Sequence, residues 1–170
     1  MALFDICYEK TILNEGGYKL HKVPFDRGGL TYAGISQKYH PDWRGWEYVT
    51  SEHNQTHLMP LVKEFYQNKF WNVIKGDYID SQEMADTIYD FAVNAGCRTA
   101  IKLSQIVVGC TPDGIVGPNT LNALNSFHPE IFLSNYALAK VQRYMEICKR
   151  DTTQSKFLLG WLNRSIGALS

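Results

Sequence analysis

The chain has no net charge to speak of: 17 Lys and Arg stand against 17 Asp and Glu in 170 residues, with a pI near 6.9. A dedicated nucleic-acid binder concentrates cations, so that class is excluded. Long hydrophobic runs are missing too. No stretch reaches the roughly 18 uncharged apolar residues of a membrane span. The opening Met1-Ala2-Leu3-Phe4-Asp5 places Asp5, and then Glu9, where a secretory leader needs an unbroken apolar segment. Cytosolic synthesis is the expectation, and any passage across a membrane then needs another protein. Cysteine is sparse: Cys7, Cys97, Cys110 and Cys148 lie far apart with no Cys-x-x-Cys, as expected of reduced, mostly buried thiols and not of a structural zinc site.

What the chain does have is core material. Hydrophobic residues make up 45% and aromatics 13%, and a chain of this length buries roughly 70% of its unfolded surface. One compact, mainly α unit is expected. Residues 4–15 set Phe4, Tyr8, Ile12 and Glu15 on one helical face that stops at Gly16-Gly17. Residues 18–34, rich in Gly and broken by Pro24, read as a loop with at most a short β-hairpin. Leu58, Leu61, Phe65 and Phe70 suggest a helix with Pro60 in its first turn, and Asp80-x-x-Glu83 reads as a capping box opening a buried central helix that ends at Gly96. Further helices are expected over 98–108, 118–127, 129–150 and 155–167. Charge is unevenly spread. Residues 131–170 hold six basic and two acidic side chains, a solvated helix face or a surface for an anionic partner.

The chemistry concentrates near Glu15. A carboxyl leaving an apolar helix end beside two glycines can be partly desolvated, and a carboxylic acid that keeps its proton can donate it to a leaving oxygen. As a plain surface residue, Glu15 would face the unfavourable end of the helix dipole. Eleven residues on, Asp26-Arg27-Gly28-Gly29-Leu30-Thr31 offers two short polar groups, Asp26 and Thr31, able to hold or activate a water. An acid for the leaving oxygen with a second polar group opposite is what glycosidic hydrolysis requires. An Asx-type turn at Asp26 and a strand start at Thr31 account for the spacing equally well. Tyr18 and Tyr32 flank the loop and suit either sugar stacking or packing. Asp90 and Asn94 are four apart, on one face if helical, and suit either substrate contact in a cleft or bonds within the fold. His53 and His57 lack the intervening Glu of a metalloprotease, so no metal site is expected, and no Ser or Cys nucleophile motif occurs.

Glu15-Gly16-Gly17-Tyr18, followed by Asp26-x-Gly28-Gly29-x-Thr31-x-x-Gly34-Ile35, resembles the signature of glycoside hydrolase family 108, the N-acetylmuramidases with a Glu-Gly-Gly-Tyr motif. Phe70-Trp71, Asp90-Phe91-Ala92-Val93-Asn94-Ala95-Gly96, Asp113-Gly114-Ile115-Val116-Gly117-Pro118-x-Thr120-Leu121 and Phe157-x-x-Gly160-Trp161-x-x-Arg164 are similar to that family and its companion peptidoglycan-binding segment. The resemblance covers nearly the whole chain in order. It implies a lysozyme-like helical fold with a catalytic segment in residues 1–85 and a peptidoglycan-binding-like segment in 86–170, packed together. It also implies Glu15 as catalytic acid, with Asp26 and Thr31 as its helpers by a looser analogy to phage-type lysozymes. The substrate so implied is the β-1,4 bond after N-acetylmuramic acid in peptidoglycan glycan strands. No cofactor is called for, and a monomer acting on the wall through a holin-like pore or exporter is expected. A lytic transglycosylase, a non-catalytic wall-binding module and a chitin-type hydrolase remain as alternatives.

Overall fold

A computed structural model describes residues 1–22, 30–49 and 55–167. The architecture is mainly α, as expected, with one small sheet, and the chain divides into two units: Leu3–Asn72, and Met1–Ala2 with Val73–Ser170.

The first unit opens with helix α1, Phe4–Asn14, which buries Phe4, Cys7, Tyr8, Thr11 and Ile12 along one face. Its end is set by the two glycines. Gly16, at φ +84°, donates to Leu13 O (3.2 Å) while Gly17 donates to Ile12 O (2.8 Å), the paired closure that a left-handed residue after the C-cap makes possible. Glu15 is that C-cap, its own N–H bound to Thr11 O.

Strands β1 (Leu20–Lys22), β2 (Leu30–Tyr32) and β3 (Ile35–Ser36) form an antiparallel sheet in that order, so the short hairpin expected near residues 18–34 gains a third strand. Ala33 (φ +47°) and Gly34 (φ +79°) turn β2 into β3, the two left-handed residues of a type I′ connection. Behind the sheet lies an aromatic cluster. Tyr32 stacks on Trp43, which meets Trp46 edge-on and touches Phe65 of helix α2 (Gln55–Tyr66).

Leu58, Val62 and Tyr66 form the buried stripe of α2. The described helix starts at Gln55, which places Pro60 inside it and not in the first turn as the sequence suggested. The proline ring lies on the exposed face, where water can satisfy the carbonyl left without a donor. A π-helical turn, Gln67–Trp71, follows and carries the fully buried Trp71 against Phe4.

The elements of the second unit's described residues are all helices. Helix α3 (Gln82–Ala95) is capped by Ser81, whose hydroxyl accepts from Met84 N. This corrects the expected box on Asp80, because Asp80 lies one residue too early and uses its N–H on Asn125 instead. Helices α4 (Cys97–Val107), α5 (Pro118–Ser126), α6 (Pro129–Arg150) and α7 (Leu158–Gly167) fall close to their expected spans, with a 3-10 segment at Thr152–Phe157 that takes in the first residues of the helix expected over 155–167. None of the four cysteines forms a disulfide; Cys7 is buried and the others half-buried. Among the described residues no helix is long and apolar enough to cross a membrane.

The glycine-rich loop between α4 and α5 is organised by one residue. Gln105, 1% exposed, gives its amide N–H groups to Asp113 Oδ1 (2.8 Å), Ile115 O (3.0 Å) and Thr120 Oγ1 (3.1 Å), and accepts from Gly114 N (2.9 Å). Asp113 is further held by Ile115 N, and these bonds keep its carboxyl below the ordinary carboxylate range. Hence the motif from Asp113 to Thr120 has a complete structural account without ligand. Replacing Gln105 by Leu removes all four of these bonds and leaves the buried Thr120 hydroxyl without this partner, a buried group that costs about 1–3 kcal/mol when left unmet. The expected result is a destabilisation of about 2–4 kcal/mol, read as a lower denaturant midpoint and faster hydrogen exchange at the Gly114 amide.

Candidate active site

The first unit gathers three groups at the end of α1. Glu15 is half-buried at the C-cap, and its Oε2 lies 2.8 Å from the point where a Cβ on Gly34 would stand. The Tyr66 hydroxyl lies nearer still to that point. Glycine in the β2–β3 turn is therefore what lets the carboxyl and the phenol share the space above the hairpin. Tyr66 donates to Ala33 O at 2.9 Å, tying α2 to the turn, and burial together with the Glu15 charge drives its pKa far above the ordinary phenol range. The phenol thus stays protonated, a fixed O–H beside the carboxyl. Glu15, Gly34 and Tyr66 come from three elements remote in sequence. Gly34 was visible in the motif; Tyr66 was not singled out by any local pattern.

Thr31 sits in the middle strand, paired with His21 and Ser36, three residues before Gly34, and it is half-exposed. It is mid-strand and not a strand start. Asp26 lies outside the described residues, as does His53. His57 stacks on Tyr48 at 5.8 Å between centroids.

The flanking tyrosines separate. Tyr32 has no exposed surface and belongs to the core stacked on Trp43, so packing, and not sugar stacking, is its role. Burial, helped by the nearby Tyr18, raises its pKa. Tyr18 keeps exposed surface and shares a 2.9 Å hydrogen bond with the Tyr8 hydroxyl.

Asp90 and Asn94 lie on α3 in the second unit, on one face as their spacing required, and their partners come from the same chain. Arg164 of α7 donates to Asn94 Oδ1, and Asn94 in turn donates to Asp90 O. Burial raises the Asp90 pKa despite the opposing charges of Arg164 and Lys140. Lys140, 2% exposed, is pushed down by burial, donates to the Thr87 hydroxyl at 3.3 Å and lies over the rings of Tyr136 and Phe91. Asp90 and Asn94 thus find partners within the second unit.

Residues 8–96, a little over half of the chain, match the family described as Glycosyl hydrolase 108. The chain belongs to glycosyl hydrolase family 108. Residues 99–166 match a second family, described as a predicted peptidoglycan domain. A solved structure entitled "Structure of Brucella abortus SagA" is similar to the chain with a TM-score of 0.75 and 26% identity, over 98% of this chain and 91% of that one. No curated protein matches. The family 108 match spans α1, the sheet, α2 and α3, so it contains Glu15, Gly34 and Tyr66 together. A glycoside hydrolase segment joined to a peptidoglycan segment makes this family 108 member a peptidoglycan hydrolase with a mainly α, lysozyme-like fold.

Proposed function

We propose that this family 108 member is an N-acetylmuramidase that hydrolyses the β-1,4 bond between N-acetylmuramic acid and N-acetylglucosamine, with Glu15 as general acid. The observation that carries the reading is the placement of the Glu15 carboxyl at a helix end, in space left open by Gly34 and beside the protonated Tyr66 hydroxyl. A carboxyl held between a turn and a fixed O–H has one face left for a leaving-group oxygen, and general acid catalysis needs such a fixed donor. Asp26, with Thr31, stabilises developing positive charge on the sugar or aligns the attacking water. The reaction draws on the chain's own side chains and needs no cofactor. The protein acts as a monomer on the cell wall in a lytic role, reaching it through a holin-like pore or another exporter.

Product analysis of purified wall tests the reading. Hydrolysis leaves muropeptides with a reducing N-acetylmuramic acid end, which borohydride reduces and mass spectrometry identifies. A 1,6-anhydro end, lighter by one water and resistant to reduction, marks a lytic transglycosylase and overturns the proposal. Cleavage of N-acetylglucosamine polymers lacking muramic acid does the same in favour of a chitin-type enzyme.

A further inference from the structure

The first unit holds an open cavity of about 440 Å³ between α1 and α2, lined in part by Tyr18 from the segment that follows Glu15. Asp5, Tyr8 and Glu9 line it from α1, Met59 and Lys63 from α2. Its chemistry is divided. At one end the Lys63 ammonium pairs with Asp5 at 2.8 Å, which leaves two of its three N–H groups for another acceptor. One helical turn along α1, about 6 Å away, Glu9 presents an exposed carboxylate on the same face. Met59 and the Tyr8 ring make the wall between these poles apolar.

The cavity is linked to the acid through aromatic rings. The Tyr8 ring lies 6.1 Å from Tyr66, the residue beside Glu15, and its hydroxyl bonds Tyr18, three residues past Glu15. Tyr8, on the cavity wall, thus meets both Tyr66 and Tyr18.

From this we infer that the α1–α2 cavity is a subsite for the stem peptide of the wall, taking the aliphatic diamino acid whose distal carbon carries both an ammonium and a carboxylate. The ammonium goes to Glu9, the carboxylate to Lys63, and the methylene chain lies on Met59 and Tyr8. The net charge of the lining, two carboxylates against one ammonium, favours the cationic end of such a group over a simple anion. The inference rests on the muramidase reading, since a glycan bearing stem peptides is what brings this group to the site.

Two measurements separate the subsite from that reading. The first needs no catalysis: the free tripeptide L-Ala-γ-D-Glu-meso-diaminopimelate is titrated into the full chain and followed by NMR. Shifts are expected at Glu9, Tyr18 and Lys63, with binding about tenfold weaker for the tripeptide amidated at its distal carboxyl and for Glu9→Gln. The second compares kcat/KM on intact wall with that on glycan stripped of peptides by an amidase. Wild type should favour intact wall, and Glu9→Gln and Lys63→Met should each lower that ratio about tenfold, mainly through KM. No tripeptide binding, or variants that leave the ratio unaltered, would overturn the subsite. Tripeptide binding without any wall cleavage would keep the subsite and sink the muramidase.

Discussion

Glu15→Gln is expected to reduce release of soluble muropeptides from purified wall by at least about a hundredfold, the usual scale for removing a general acid. The substitution preserves shape and removes the transferable proton. The residue is half-buried at the C-cap, and Gln keeps its size, so thermal stability should change little, which separates lost chemistry from lost fold. The competing class gives the opposite result: a wall-binding module that does not cut would clear wall no differently with Gln at position 15. The readout is muropeptide yield by chromatography beside a melting curve for both proteins.

How much of this was legible in the sequence depended on whether the cause was local. The end of α1 was, because Gly16 and Gly17 supply φ values of +84° and +80° that other residues rarely adopt. The C-terminal helices were legible from Pro118 and Pro129 at helix starts and Gly109 at a stop. The cap at Ser81 was misread by one residue, since Asp80 and Ser81 both carry capping oxygens and only the neighbouring Asn125 decides which N–H is free. The site was half legible. Glu15 and Gly34 announced themselves through a helix end and a turn, whereas Tyr66 reads as one more apolar position of α2. Its hydroxyl matters only because the fold brings Ala33 to it across 33 positions of sequence. Gln105 was hidden in the same way: a glutamine in a helix carries no local mark of the loop it will organise. The partners of Asp90 come from α6 and α7, 50 and 74 positions on, so they could not be read from spacing.

Gly34→Ala should be nearly as damaging to activity as loss of the acid, for a reason that is geometric and not chemical. The turn residue sits at φ +79°, and an L side chain in that region costs about 1–2 kcal/mol. That strain alone predicts a lower melting temperature. A Cβ at position 34 would also stand 2.8 Å from Glu15 Oε2 and 3.0 Å from its Cγ, and closer to the Tyr66 hydroxyl, which is anchored to Ala33 O and cannot withdraw without breaking that bond. The carboxyl has to yield, and a displacement of about 1 Å at a reacting group costs on the order of a hundredfold in rate. Gly109→Ala provides the control. It imposes the same kind of strain at φ +74°, but a Cβ there meets nothing within 4 Å. Both variants should melt at lower temperature, while at a temperature where both are folded only Gly34→Ala should lose about a hundredfold in kcat. If the two lose activity in proportion to their stability, the carboxyl is not held by the turn, and the space shared by Glu15, Gly34 and Tyr66 is packing alone.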